Sequence, residues 1–150
     1  MSVLVYIARR NADIWEYLLL RRVARPDLGL GCFWQGVTGG LENGEDTVQA
    51  VTREVLEETG LTPSALAPVG YSYSYPIRDE WRNEYPPDAD RIVEHVFAAV
   101  VGEQQNPVLS GEHDAWRWCG LAEALGLLSY PDNIEALRRC AELVDSGSGR

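Results

Sequence analysis

Apolar and polar positions along the chain alternate between two periods. Val3 to Ala8 is an apolar run rich in β-branched residues and Trp15 to Arg22 is a second, and the turn-like RRNAD between them predicts a β-hairpin. A Pro- and Gly-rich loop over 23–33 then leads into Phe33-Trp34-Gln35-Gly36-Val37-Thr38 and on to Gly39-Gly40. From Thr47 to Thr59 the pattern predicts a helix of about three turns, with Asp46 as N-cap, no internal Gly or Pro, and Gly60 as the stop. On that helix Val48, Val51, Val55 and Thr59 share one face, and Glu54, Glu57 and Glu58 occupy an adjoining arc of roughly 100°.

After a loop over 63–68 the period returns to two. Residues 69–77 place Tyr71, Tyr73 and Tyr75 on one face and Ser72 and Ser74 on the other. The polar stretch RDEWRNEYPPDAD over 78–90 is too long for a simple hairpin turn, and long loops in compact domains are often binding loops. Residues 91–101 read as another strand, with His95 in a packing or surface role. A short strand follows LSGEH, with Trp116 and Trp118 sharing a face and both expected in the core. Residues 121–128 form a short helix. Asp132 with Glu135 resembles an N-capping box ahead of Ile134, Leu137, Ala141 and Val144, a helix expected to cover one sheet face.

At 150 residues the chain is expected to make one domain over 1–145, with 146–150 (SGSGR) as a disordered end. Its net charge of −10 argues against a nucleic-acid polymer as partner, although an acidic protein can still bind a polyphosphate through a metal. Cys32, Cys119 and Cys140 have no metal-ligand spacing, and an odd count suits a reduced, cytoplasmic protein in which all three are structural. The opening apolar run is too short for a signal peptide, and no membrane association is expected. Oligomeric state is not legible.

The stretch GGLENGEDTVQAVTREVLEETGL, Gly39 to Leu61, carries the chemistry. Gly39, Glu45, Arg53-Glu54, Glu57-Glu58 and Gly60, with apolar residues at 55 and 61, recur at a spacing that chance would produce on the order of once in ten million chains of this length. Three carboxylates at i, i+3 and i+4 repel one another, and Arg53 offsets only part of that. A divalent cation offsets the rest, and Mg²⁺ suits such a place because it combines a few carboxylates with waters and phosphate oxygens. A lone Glu-Glu pair on a helix is ordinarily just solvated; the fixed residues around this one reverse that expectation.

This stretch resembles the Nudix box at every fixed position. The resemblance implies an α/β/α sandwich with a mixed β-sheet, a catalytic loop-helix-loop that binds Mg²⁺ or Mn²⁺, and hydrolysis of a diphosphate linkage on a nucleoside or other organic group. FWQGVTGG, preceded by LLLRR, is similar to the branch of that family that cleaves dihydroneopterin triphosphate and is also associated with dATP. By that analogy Arg21 and Thr38 contact the substrate, and Glu112 in GEH completes the metal site, with His113 matching in a less defined role. Two stretches depart from that branch: no basic residue precedes the first strand, and the serine-rich segment before the last helix reads SYPDN.

The remaining site residues are assigned on their chemistry. Gly39 and Gly40 let backbone amides approach an anion. Trp34 is either core or a ligand platform. Trp81 and Tyr85 are candidates to stack on a ring, with Arg82 and Arg91 meeting phosphate. Glu54 and Glu58, joined by Glu112 as the resemblance implies, would hold the cation, and Glu57 or, again by resemblance, Glu112 would take the proton from an attacking water whose pKa the cation lowers. Arg53 would orient a glutamate, and Glu45 would support the loop or bind a metal water. The expected reaction is water attack between the α and β phosphates of a nucleoside or pterin triphosphate. Hydrolysis of dinucleoside polyphosphates, or ligand binding without turnover, are the alternatives.

Overall fold

The computed structural model describes residues 1–103 and 105–147. Strands β1 (Ser2–Asn11) and β2 (Ile14–Arg22) form the expected hairpin, with Ile7 opposite Leu18. Beyond that pair the two strands splay apart. The opening is filled by β3 (Phe33–Gln35), which pairs with β2, and β4 (Val37–Gly40), which pairs with β1. Gly36 sits at the crossing, where an added Cβ would fall 2.5 Å from the Val5 carbonyl oxygen. The sheet is completed by β5 (Ala65–Pro76) and β6 (Arg91–Val101), with β7 (His113–Cys119) on the outer edge of β2. The β1–β6 pairing is parallel and the others are antiparallel, so the sheet is mixed.

Strand alternation divides the core in two. Val3, Val5 and Ile7 meet helix α1 (Thr47–Thr59) through Ala50, Val51 and Val55. Leu4, Tyr6 and Ala8 point the other way. They pack against α2 (Leu121–Leu127) and α3 (Pro131–Gly147) through Ala124, Ala136, Leu137, Cys140 and Ala141. Each fully buried valine or leucine contributes about 1.5–3 kcal/mol. The result is the α/β/α sandwich. Helix α1 has the expected ends: Asp46 and Gln49 form a reciprocal capping box at 2.8 and 2.9 Å, and Gly60 closes the helix at φ 69°. Among the described residues no helix is long and apolar enough to cross a membrane.

Several local expectations are corrected. Val48 is 50% exposed, and Ala50 takes its place on the buried face of α1. Residues 65–68, expected as loop, already pair with 97–100, because a bulge containing Gly70 at φ 74° absorbs the irregularity inside β5 rather than ahead of it. Trp116 is 40% exposed, since β7 is an edge strand; Trp118 is partly buried, with the Arg9 guanidinium 4.3 Å above its ring. Cys32 is exposed, which removes it from the core. Helix α3 begins at Pro131, so Asp132 lies in its first turn and accepts from the Tyr71 hydroxyl at 3.2 Å instead of capping. That helix runs through Ser146 and Gly147, which were expected to be disordered; residues 148–150 lie outside the described residues.

Candidate active site

Arg53, midway along α1, ties the preceding loop to the helix. Its Nε and Nη2 donate to the two oxygens of Glu45 at 2.6 and 2.9 Å, and its Nη1 donates to Glu54 at 2.7 Å and Glu57 at 3.2 Å. Nη2 also donates to the Gly40 carbonyl at 2.9 Å. Hydrogen bonds from Arg53 hold the Glu45 carboxyl down at about 2, while Glu45 in turn raises the guanidinium pKa further. The Glu54 carboxylate rests directly on Gly39, where an added Cβ would fall 2.2 Å from its Cδ. Only glycine leaves room for it.

Glu58, one helical turn further on, has no such partner. It is 3% exposed, and neither carboxylate oxygen makes a hydrogen bond. Burial, followed by the neighbouring Glu54 and Glu112 carboxylates, pushes its pKa up to about 10, with the Arg22 guanidinium opposing. His113 Nδ1 lies 3.8 Å from Glu58 Oε1. The Gln35 amide nitrogen donates to His113 Nε2 at 2.9 Å, so the ring proton sits on Nδ1 and faces Glu58. Burial and the Arg22 charge lower the His113 pKa to about 4, which makes the imidazole a neutral dipole at pH 7 rather than an ion-pair partner.

Ligating atoms of Glu58, Glu112 and His113 all lie within 4.8 Å of one another. A buried carboxylate with two unpartnered oxygens, flanked by further acids, is a donor set that a hard divalent cation would satisfy. Glu54, Glu58 and Glu112 fit such an ion. His113, with its proton on Nδ1, fits as a support for Glu58.

Of these residues, Glu54 and Glu112 line a cleft of about 1010 Å³, with Glu58 and His113 buried behind them. Thr38, Gly39, Gly40, Glu54, Arg22 and Glu112 line its part nearest α1. Across β1 it is lined by Tyr73, Tyr75, Trp81 and Glu94. A family model described as the NUDIX domain matches residues 1–140. The chain belongs to the Nudix family. It is a hydrolase acting on phosphoric anhydride bonds.

Relatives within the Nudix family include a dihydroneopterin triphosphate diphosphatase of Haemophilus influenzae, 32% identical over 142 residues, which cover 92% of this chain and 85% of the relative. The solved structure of the Escherichia coli dihydroneopterin triphosphate pyrophosphohydrolase is similar with a TM-score of 0.73 and 30% identity, covering 92% of each chain. An asymmetrical bis(5'-nucleosyl)-tetraphosphatase of Caenorhabditis elegans is 27% identical over 135 residues, 89% of this chain and 88% of that one.

Within this Nudix site some expected residues stand elsewhere. Arg21 does not line the cleft: its Nε and Nη2 grip both oxygens of Asp114 at 2.8 and 2.9 Å on an exposed part of the sheet. Adjacent strand residues face opposite ways, and Arg22 is the one turned to the cleft, with its Nε buried and without a hydrogen-bond partner. Trp34 packs against the core on the α3 side and is no platform. Arg82 donates to the carbonyls of Pro86, Pro87 and Ala89 and so shapes its own loop. Glu57 is exposed and tied to Arg53, outside the cleft lining. Arg91 lines the cleft while donating to Ser74.

Arg22, Gln35 and Glu94 were missed as site residues. The alternation of a strand gave a signal for Arg22 as an alternative to Arg21. No local pattern marks Gln35 or Glu94, whose partners lie 78 residues and about 20 residues away in the chain.

Proposed function

We propose that this Nudix hydrolase is a Mg²⁺-dependent pyrophosphohydrolase that converts a nucleoside or pterin triphosphate to its monophosphate and pyrophosphate. The observation that carries the reading is Glu58, buried with both oxygens unpartnered behind Glu54 and Glu112, which line a cleft large enough for such a substrate. A divalent cation held by Glu54, Glu58 and Glu112 would supply positive charge against the phosphate chain.

The chain's own residues do the rest. Arg22 meets phosphate oxygens, and the backbone at Thr38, Gly39 and Gly40 lies where it can approach them closely. Arg53 fixes Glu54 through its 2.7 Å hydrogen bond, and His113, held by Gln35, faces Glu58. Glu112 lines the cleft and Glu57 does not, which favours Glu112 as the group that takes the proton as water oxygen attacks the α-phosphorus. The bond from that phosphorus to the bridging oxygen breaks, and pyrophosphate leaves with its electron pair. Positioning and charge neutralisation carry most of the catalysis in such displacements.

Similarity to the Haemophilus influenzae and Escherichia coli proteins supports a pterin triphosphate as the substrate. The test is product analysis with Mg²⁺ against dihydroneopterin triphosphate, the nucleoside and deoxynucleoside triphosphates, and a dinucleoside tetraphosphate. The expected result is pyrophosphate plus a monophosphate from a triphosphate. Turnover of the dinucleotide alone would replace this reading with the activity named for the Caenorhabditis elegans relative, and phosphate release without pyrophosphate would overturn the site of attack.

A further inference from the structure

Glu94 is a buried carboxylate, 7% exposed, in the wall of the cleft and outside the acid cluster. It is held by two phenols from the neighbouring strand: Tyr75 donates to Oε1 at 2.5 Å and Tyr73 to Oε2 at 3.2 Å. The Tyr73 hydroxyl accepts in turn from Asn133 Nδ2 at 2.8 Å. Each carboxylate oxygen offers about two acceptor directions, so one on each oxygen is used and one on each is left. Burial pushes the Glu94 pKa up, and the two phenol donations pull it back in part.

Aromatic surfaces stand beside this carboxylate. The Tyr75 and Trp81 rings meet edge to face with centroids 6.1 Å apart, and Trp81 Nε1 donates to the Leu28 carbonyl at 2.9 Å, which locks the ring in the wall. Register fixes the distance to the phosphate end. Ser2 of β1 lies opposite Gly40 on one side and Glu94 on the other, so the backbones of Gly40 and Glu94 are two strand spacings, about 10 Å, apart. A substrate whose phosphates lie against Gly39 and Gly40 reaches Glu94 with its ring.

Two remaining acceptors side by side select a ring edge with two adjacent donors. A 2-amino-4-oxopyrimidine ring, as in guanine or a pterin, presents such an edge: a ring N–H next to an exocyclic amine. Adenine and cytosine place an amine beside an unprotonated ring nitrogen, which would face the carboxylate lone pair against lone pair. We infer that Glu94 is the specificity-determining residue of this site, reading the N–H and amine of a 2-amino-4-oxopyrimidine ring in bidentate fashion. This rests on the triphosphate reading above and narrows its substrate class.

The experiment compares kcat/KM for GTP, ITP and ATP. ITP lacks only the exocyclic amine, and loss of one hydrogen bond to a charged group should lower kcat/KM about tenfold or more, with ATP lower still. Glu94→Gln presents one acceptor and one donor, and should reduce the GTP-to-ATP ratio by about tenfold or more, mainly through KM. The ligand series on the unaltered protein reads the same edge if a variant folds poorly. A GTP-to-ATP ratio unchanged in Glu94→Gln, or equal rates for GTP and ITP in the unaltered protein, would overturn the inference. If no triphosphate is cleaved, the pyrophosphohydrolase reading fails separately; calorimetric binding of GMP over AMP, abolished by Glu94→Gln, still supports the role of Glu94, and equal binding rejects it.

Discussion

Two glutamates are buried on opposite sides of β1 and are treated in opposite ways. Glu58, on the α1 side, has no hydrogen bond to either oxygen and two other carboxylates for company. Glu94, on the α3 side, has a phenol on each oxygen. Both are pushed toward the protonated form by burial, yet only one has had its lone pairs supplied by the chain. The difference separates two tasks. A carboxylate that must be fixed in direction for recognition is surrounded by donors, whereas one suited to hold a cation is left short of them, because any built-in donor would compete with the ion. Burial alone therefore does not reveal what a glutamate is for; the inventory of its partners does.

The largest effect that would sharpen this contrast is Glu58→Gln. Turnover with Mg²⁺ should fall by about 10²–10³-fold, while the cation-free thermal midpoint at pH 7 stays about level, because burial already holds that carboxyl neutral and Gln replaces it with a neutral group of the same shape. Unchanged turnover would remove Glu58 from the cation site. Gly39→Ala comes next. Its Cβ would meet Glu54 at 2.2 Å, so the carboxylate must leave its seat, and kcat should drop by about tenfold or more with a small change in stability. A variant with normal kcat would show that the position of Glu54 is not critical.

The smallest effect concerns Glu45, which receives its cation from the chain in the form of Arg53. Its folded pKa of about 2 lies below the ordinary 4.5. Its contribution to stability is therefore fully present above pH 4.5 and disappears as pH falls toward 2. Urea denaturation of Glu45→Gln beside the unaltered protein should show the two curves converging over that acidic interval. Curves that stay parallel down to pH 2 would mean that Arg53 does not stabilise Glu45 in this way.

What could be read in advance depended on how far each feature's causes lie along the chain. Helix α1 was legible to the residue because its capping box and its stop are contained in Asp46, Gln49 and Gly60. The closeness of Glu54 and Glu58 was legible for the same reason, since a helix places its own neighbours, whereas Glu57 on the same arc is drawn away by Arg53 and Glu112 comes from a distant loop. Arg21 was favoured over Arg22 on resemblance, and the pairing of Arg21 with Asp114, 93 residues later, and the bulge in the β2–β7 register arise from a strand far along the chain. Glu94 looked like one polar residue of an alternating strand; what distinguishes it is the tyrosine stripe of β5, which sequence could read as packing but not as a pair of hydrogen-bond donors. Trp34 could be core or platform until the fold showed which face it took.

The wedge between β1 and β2 has a further consequence. Segment 33–40 is pinned on both edges and cannot slide by one residue without turning Thr38 and Gly39 over, while Gly36 leaves no space at the crossing. The floor on which phosphates would rest is thus part of the rigid chassis, whereas the loops over 23–32 and 78–90, joined to each other by the Trp81–Leu28 hydrogen bond, form a detachable wall. Loop replacement in this molecule should change how closely a ring is enclosed, while the edge read by Glu94 on β6 and the place of bond breaking stay where they are.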